Sequence, residues 1–281
     1  AISQNGGTGT VLGFVSSLSK QVDFSMLWRK YDRDFHSFYG NGFGENTRNI
    51  NERGTYLGME IKPSKKWKIN GYLDLFRFPW LKFRTYVPSD GYEGLVRVAY
   101  QPRRDLLVYA QLRKEEKDRN LSDSGEPTLP FLLAPVSRRN FMINLESNIS
   151  RNLFIRSRIL TSQVNIASGQ SHGFMIYQDI KYEWEKWRFT ARMAFFDTDD
   201  YDSRIYTFEN NVLWTFAIPA FFGQGMRYYL IGEYALSSRL KIYARFSRTS
   251  YTDRDRISSG LQEILGSRQT DSAILLRYSF R

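Results

Sequence analysis

Apolar and polar residues alternate with period two from one end of this chain to the other. That period belongs to a β-strand with two different faces, because successive side chains on a strand point to opposite sides. Near the start, Val22, Phe24, Met26 and Trp28 oppose Asp23, Ser25 and Arg29. Further on, Trp67, Ile69, Leu73 and Leu75 oppose Lys68, Asn70 and Asp74, and Leu106, Val108, Ala110 and Leu112 oppose Tyr109, Gln111 and Arg113. Phe141, Ile143 and Leu145 oppose Asn140, Asn144 and Glu146. Trp187, Phe189, Ala191, Met193 and Phe195 oppose Arg188, Thr190, Arg192 and Phe196. Leu240, Ile242, Ala244 and Phe246 oppose Lys241, Tyr243, Arg245 and Ser247. The pattern closes on Ile274, Leu276, Tyr278 and Phe280, set against Asp271, Ala273, Leu275, Arg277 and Ser279. Each segment runs for roughly 9–13 residues, the length of a tilted membrane-crossing strand, whereas strands of soluble domains average about 5–6.

The connections alternate in length. Short ones fall at Ser17–Lys20, Pro63–Lys66, Pro102–Asp105, Ile149–Asn152, Trp184–Lys186 and Ser237–Arg239. Long ones are predicted at Asp32–Asn51, Leu81–Asp90, Glu116–Pro135, Asn165–Ser171 and Thr249–Gln269. Tight turns on one rim and longer loops on the other are the habit of an outer-membrane barrel, and the template gives about 12–14 strands, normally an even number. Thr198–Gly225 resists the count. Arg204–Phe216 is either part of an external or inward-folded loop or hides a further strand, and Pro219 argues against a regular central strand.

Composition changes the picture in three ways. Mean hydropathy is −0.47 and no apolar run approaches the ~18 residues of a membrane helix, so a membrane would have to be crossed by strands. A barrel strand shows lipid only at every second side chain, which keeps its average hydropathy low. Aromatics are abundant, with 18 Tyr, 21 Phe and 6 Trp. Trp28, Trp67, Trp184, Trp187, Tyr182 and Tyr278 lie near segment ends, where interfacial girdles sit. Val22, Ile69, Val108, Ile143, Ile155, Met193, Ile242 and Leu276 are the expected lipid-facing band. The expectation is an all-β fold, one transmembrane antiparallel up-and-down β-barrel over residues 1–281. It would sit in the bacterial cell outer membrane against its lipid and lipopolysaccharide, the C-terminus on the periplasmic side. With no initiating Met and no signal peptide, the chain reads as a mature or shortened product.

The last segment, Ile274-Leu-Leu-Arg-Tyr-Ser-Phe280, resembles the C-terminal strand of outer-membrane proteins, with Ile274, Leu276, Tyr278 and Phe280 as the alternating signal that ends in an aromatic. The departure is Arg281 after that aromatic. Phe208-Glu-Asn-Asn-Val-Leu-Trp-Thr-Phe216, Ile218-Pro-Ala-Phe221 and Gly225-Met-Arg-Tyr-Tyr-Leu230 resemble the barrel portion of Bacteroidota helix-hairpin-helix domain-containing outer-membrane proteins. That resemblance covers only the barrel half. It implies small soluble domains before the barrel, and no activity.

Candidate chemistry is sparse. The net charge is +11 and cysteine is absent, which removes disulfides and thiolate metal sites. On the polar face fall Arg29, Lys68, Arg97, Arg113, Arg156, Arg158, Arg188, Arg192, Lys241, Arg245 and Arg277, joined by Asp74, Glu146, Asp179 and Asp271. Two readings stand for these lumen-lining residues. Rings of Arg and Lys can select anions. Alternatively an Arg–carboxylate network, with Tyr72, Tyr109, Tyr177 and Tyr243 wedged into it, fills the lumen. Bulk on that face favours the second. Gly40-Asn-Gly42-Phe-Gly44 lacks the strand, helix and Lys-Ser/Thr of a phosphate loop and reads as an external loop. Only His36 and His172 could serve as histidine bases, and neither spacing suggests a metal site. Arginines spread through every strand do not form a nucleic-acid patch. No cofactor is expected.

Three functions remain from the sequence. The first is a non-enzymatic subunit of an outer-membrane complex for protein export, assembly or uptake, with outer-membrane or periplasmic proteins as partners. The second is a stand-alone channel for small anionic solutes. The third is an outer-membrane hydrolase using His172, beside Ser171, or His36.

Overall fold

Thirteen long strands form one hydrogen-bonded sheet in simple sequence order. A computed structural model describes residues 1–38, 40, 42–120, 133–167 and 169–280. The strands are β1 (Gly9–Ser19), β2 (Val22–Tyr31), β3 (Glu52–Ser64), β4 (Trp67–Phe78), β5 (Ser89–Arg103), β6 (Leu106–Asn120) and β7 (Leu133–Asn148). They continue as β8 (Leu153–Ile166), β9 (Gly169–Trp184), β10 (Trp187–Thr198), β11 (Gln224–Ala235), β12 (Leu240–Tyr251) and β13 (Arg268–Tyr278). Each strand pairs with its sequence neighbour, the ladder of an antiparallel up-and-down sheet. The strands are 10 to 16 residues long, enough for a tilted membrane crossing. No helix among the described residues is long and apolar enough to cross a membrane.

All six expected short turns are in place between these strands. The long connections need correction. Asn165–Ser171 is not a long loop: β8 runs to Ile166 and β9 starts at Gly169. The polar Asn165 and Ser171 read as loop by composition, yet a strand face that meets polar neighbours accepts them. Glu116 lies inside β6 and Pro135 inside β7; the rest of that expected loop, residues 121–132, lies outside the described residues. The loop expected at Leu81–Asp90 ends two residues early, because β5 begins at Ser89. Among the described residues the sheet has thirteen strands, within the expected range but odd.

The residues cluster as two compact units. The first comprises Ala1–Tyr100, Gln111–Asn140 and Val164–Gln170, and the second Gln101–Ala110, Phe141–Gln163 and Ser171–Arg281. In the first, Arg29, Glu52 and Asp74 are buried on one face while Met26, Trp28, Met59, Leu73 and Leu75 are exposed on the other. In the second, β9 alternates most cleanly: Met175, Tyr177 and Asp179 are buried, and Phe174, Ile176 and Ile180 are exposed. The faces are inverted relative to a soluble protein, with charge inside and large apolar side chains outside. Of the expected lipid-facing band, Ile143, Met193 and Leu276 are exposed and Val22, Ile69, Val108, Ile155 and Ile242 half-buried; the six girdle aromatics are all exposed.

The second unit has one apolar cluster on its otherwise polar face. Met175, Tyr177, Ala194 and Phe196 of β9 and β10 pack against Ile205 and Phe221. Those two residues come from the connection between β10 and β11, where only Ile205–Tyr206 and Ala220–Phe221 pair as short strands. Arg204–Phe216 is therefore not a hidden crossing strand but a loop folded onto the polar face.

If the exposed face meets hydrocarbon, Met193→Arg and Ile176→Arg will each lower stability by about 2–4 kcal/mol in phospholipid vesicles, while Gln21→Arg in a rim turn costs about 0–1. Urea titration of the folded protein in vesicles reads both, and equal effects at the three sites would contradict the assignment.

Candidate functional site

Two loops are tied down onto the polar face by buried ion pairs, one in each unit. In the first unit the tie begins with a missing side chain. Arg29 on β2 sits opposite Gly54 on β3, and Gly54 in turn is opposite Phe76 on β4. The guanidinium lies across Gly54, where a Cβ would come within 2.5 Å of Arg29 Cζ. That gap lets Arg29 reach β4, where it donates to both Asp74 oxygens at 2.7 and 3.1 Å. Its Nε donates to Glu52 Oε1 at 2.6 Å. Arg29 and Glu52 are fully buried. Bidentate pairing of this kind is the arrangement that suits a buried guanidinium.

Glu52 carries the tie to the loop between β2 and β3. It accepts the backbone N–H of Glu45 at 2.9 Å and of Asn46 at 2.9 Å. Glu45 reaches Lys117 of β6 at 2.7 Å, and the Phe43 ring lies 5.3 Å from the Arg29 Cζ. Tyr31 donates its hydroxyl to Phe43 O at 2.9 Å. Beside this group, Arg113 of β6 donates to both oxygens of Glu93 on β5 at 2.8 and 2.6 Å. Glu93 also accepts the Tyr72 hydroxyl.

Lys82 sits above this cluster in the turn between β4 and β5, with Nζ 3.4 Å from the Phe78 ring centroid. Burial pushes its ammonium down to about 8, and nearby Lys117 adds repulsion, although the ring face favours the charged form.

In the second unit Asp179 and Arg192 stand directly opposite each other on β9 and β10. They form a bidentate pair at 2.5 and 2.8 Å. The guanidinium lies between the rings of Tyr177 and Tyr229, at 3.9 and 5.6 Å. Its third nitrogen donates to Phe208 O at 2.7 Å, which holds the backbone of the inward loop. The next residue, Glu209, is fully buried. It accepts from Arg227 on β11 at 2.7 and 3.0 Å and from Arg245 on β12 at 2.9 Å. Asn210 completes the tie by donating to the Tyr229 hydroxyl at 3.1 Å. The loop is thus held by ionic contacts at Glu209 and by apolar ones at Ile205 and Phe221.

The structure places the remaining residues singled out from sequence as follows. Arg97 donates to Gln111 at 2.9 Å. Arg156 meets Glu146 at 3.0 Å and Asp179 at 3.5 Å. Arg158 donates to Asn144 at 2.8 Å and to Tyr109 at 2.9 Å. Nearer the short-turn rim, Arg188 meets Glu183 and Glu233, and Lys241 meets Glu233 at 2.8 Å. Arg277 and Asp271 are exposed on β13. Glu52, Glu93, Glu209, Glu233 and Arg227 belong to the same networks but escaped the sequence reading. Glu52 stands where a loop meets β3 and Glu209 lies within the inward loop, so period-two counting gave them no face. His172 and Ser171 are consecutive on β9 and point to opposite faces, His172 exposed and Ser171 buried. Strand geometry separates the base and nucleophile that sequence proximity had suggested. His36 is exposed in the loop between β2 and β3.

No protein-family model matches the sequence, and no curated protein matches it. Solved structures do match. The chain is similar to the outer-membrane expressed OmpT of Vibrio cholerae, with TM-score 0.50 and 13% identity over 96% of this chain and 80% of that one. It is similar to the FrpB iron transporter of Neisseria meningitidis, with TM-score 0.57 and 11% identity over 99% of this chain. It also resembles a mutant of the ferric enterobactin receptor PfeA of Pseudomonas aeruginosa, with TM-score 0.55 and 11% identity over 87% of this chain. This chain spans 51% of the FrpB chain and 42% of the PfeA chain. At these identities the likeness is one of fold. The fold is that of the bacterial outer-membrane β-barrel, and with the exposed apolar band it locates the chain in the outer membrane.

Two expectations follow from the ties. Arg29→Met leaves Glu52 and Asp74 buried without their counter-charge and should cost about 3–5 kcal/mol. Replacing all three by apolar residues of similar volume should cost far less, since the desolvation penalty then disappears. Urea unfolding in vesicles distinguishes the two, and equal losses would mean that the charges are not buried together. For Lys82, the folded state gives up its proton before the unfolded chain does. Its contribution therefore disfavours folding below about pH 8, and that handicap fades as pH rises from about 8 to the ordinary lysine range. NMR of ¹³C-methylated lysines should show Lys82 titrating near pH 8; a midpoint near the value for free lysine would contradict the burial.

Proposed function

We propose that this outer-membrane barrel is a non-enzymatic subunit of a larger outer-membrane complex, working in protein export, assembly or uptake. The observation that supports this reading is the state of the polar face. Arg29, Arg113, Arg192, Arg227 and Arg245 each spend their charge on a carboxylate. An anion channel needs cations presented to the solute. Here the loop between β10 and β11 covers part of that face and is anchored at both its apolar and its ionic points. Such a face resembles a sealed scaffold more than a conduit. The hydrolase reading has no base–nucleophile pair at Ser171 and His172. Kinship with the Bacteroidota helix-hairpin-helix barrels belongs to the same proposal. The segment Phe208–Phe216 that carries the resemblance includes Glu209, which pins the loop.

Two measurements test this. In planar bilayers the purified chain should give no sustained conductance at neutral pH. Purified from membranes in mild detergent, it should bring the same neighbouring proteins in each preparation. A steady anion-selective current from a monomeric preparation would overturn the proposal in favour of the channel.

A further inference from the structure

Charge divides the second unit end from end. Four short turns lie on one rim: residues 104–105 between β5 and β6, 149–152 between β7 and β8, 185–186 between β9 and β10, and 236–239 between β11 and β12. Each carries a cation, in order Arg104, Arg151, Lys186 and Arg239, and Arg103 at the end of β5 adds another. Asp105 and Glu185 are the only carboxylates in these turns. The two loops at the other rim of the unit, residues 199–223 and 252–267, carry seven carboxylates against three arginines.

The turn cations are not spent inside the protein. Arg103, Arg104, Arg151, Lys186 and Arg239 are all exposed. Arg103 reaches Asp105 at 3.4 Å, but both side chains are well solvated, and an ion pair of that kind contributes little. The side chains of Arg104, Arg151, Lys186 and Arg239 make no hydrogen bond or ion pair with the described residues. A little further from the rim the arrangement is different. There Arg188 and Lys241 share Glu233. Neutralisation stops where the strands stop.

The neighbouring aromatics show what these charges face. Trp184 and Trp187 stand opposite each other where β9 ends and β10 begins, and both are exposed. Tyr182 is exposed on the same face, and the Trp187 ring lies 4.4 Å from that of Tyr234 on β11. Exposed Tyr278 stands opposite Leu240, the residue after Arg239. Trp and Tyr at the lipid-facing ends of strands mark the headgroup level. Lys186 falls between the two tryptophans in sequence, so it lies about one strand rise, ~3.3 Å, past that level. That is well within the ~8 Å over which a charge acts in physiological salt. Long basic side chains in such a place lay their stems along apolar surface and put their charge among the headgroups. Short turns of outer-membrane barrels face the periplasm, where the leaflet is phospholipid. An acidic protein would meet the turns from the water side and would have no use for the girdle beside them.

We infer that the short-turn rim of the second unit binds anionic phospholipid headgroups, with Arg103, Arg104, Arg151, Lys186 and Arg239 meeting their phosphates. The inference rests on the membrane location alone and holds whether or not the barrel is a complex subunit.

The test uses the protein folded into phosphatidylcholine vesicles, with spin-labelled phosphatidylglycerol or phosphatidylcholine added as the probe. Electron spin resonance reads the fraction of each probe held at the protein surface. At low salt phosphatidylglycerol should be favoured by roughly fivefold, the factor that one basic residue supplies near an anionic surface. The preference should collapse in about 1 M salt, where charges more than ~3 Å apart are screened. It should also shrink when Arg103→Gln, Arg104→Gln, Arg151→Gln, Lys186→Gln and Arg239→Gln are combined. Equal association of the two lipids, or a preference undiminished by salt or in the variant, would overturn the inference. The salt comparison uses the unmodified protein and so does not depend on the variant folding. A photo-crosslinking benzoylphenylalanine at the exposed Glu185, in the protein made in its own membrane, should take up phospholipid. Capture of a protein alone at that position would overturn the inference in favour of an acidic partner.

Discussion

The absence of water around a membrane-crossing backbone is the constraint behind the rest of this structure. Each N–H and C=O must find a protein partner, and a sheet supplies one only through neighbouring strands. That requirement turns the chain into long antiparallel strands in sequence order, and it fixes the period-two alternation. One face then meets hydrocarbon and carries Phe174, Ile176, Met193 and Phe195; the other is free to carry charge. Leu and Phe outside, Arg and Glu inside, is the solution that keeps both faces satisfied.

The polar face has a problem of its own. Guanidinium groups removed from bulk water need carboxylates nearby and well aligned. Most of them find one on an adjacent strand, as Arg192 finds Asp179. Two clusters go further and recruit a loop. Glu52 joins Arg29 to the backbone at Glu45 and Asn46, and Glu209 brings its own loop between Arg227 and Arg245. In each case satisfying buried charge and positioning a loop are one event. This link between electrostatics and loop placement underlies the reading of a sealed scaffold.

The fold was legible because its signal repeats in every strand. Alternation such as that of Trp187 to Phe195 needs no tertiary knowledge, and the six tight turns mark themselves with Pro, Ser, Asn and Lys. The site was only half legible. Period two put Arg192 and Asp179 on one face, but their direct opposition depends on the register between β9 and β10. Arg29 reaching β4 depends on Gly54, and nothing local in the sequence connects positions 29, 54 and 74. For Arg204–Phe216, in the connection between β10 and β11, the sequence left loop and hidden strand open, and Ile205 in it and Phe221 beyond it are both apolar. They are apolar because they pack onto Met175 and Phe196, a contact made by tertiary folding.

The central claim is that alternate side chains of one strand meet lipid and the others do not. The chain has no cysteine, so single cysteines can be introduced along β9 without background. Fluorophores placed at 174, 176 and 180, in protein folded into vesicles, should be quenched by brominated acyl chains, and those at 175, 177 and 179 should be spared. Quenching that rises and falls smoothly along the strand, or that is absent throughout, would contradict a lipid-facing sheet.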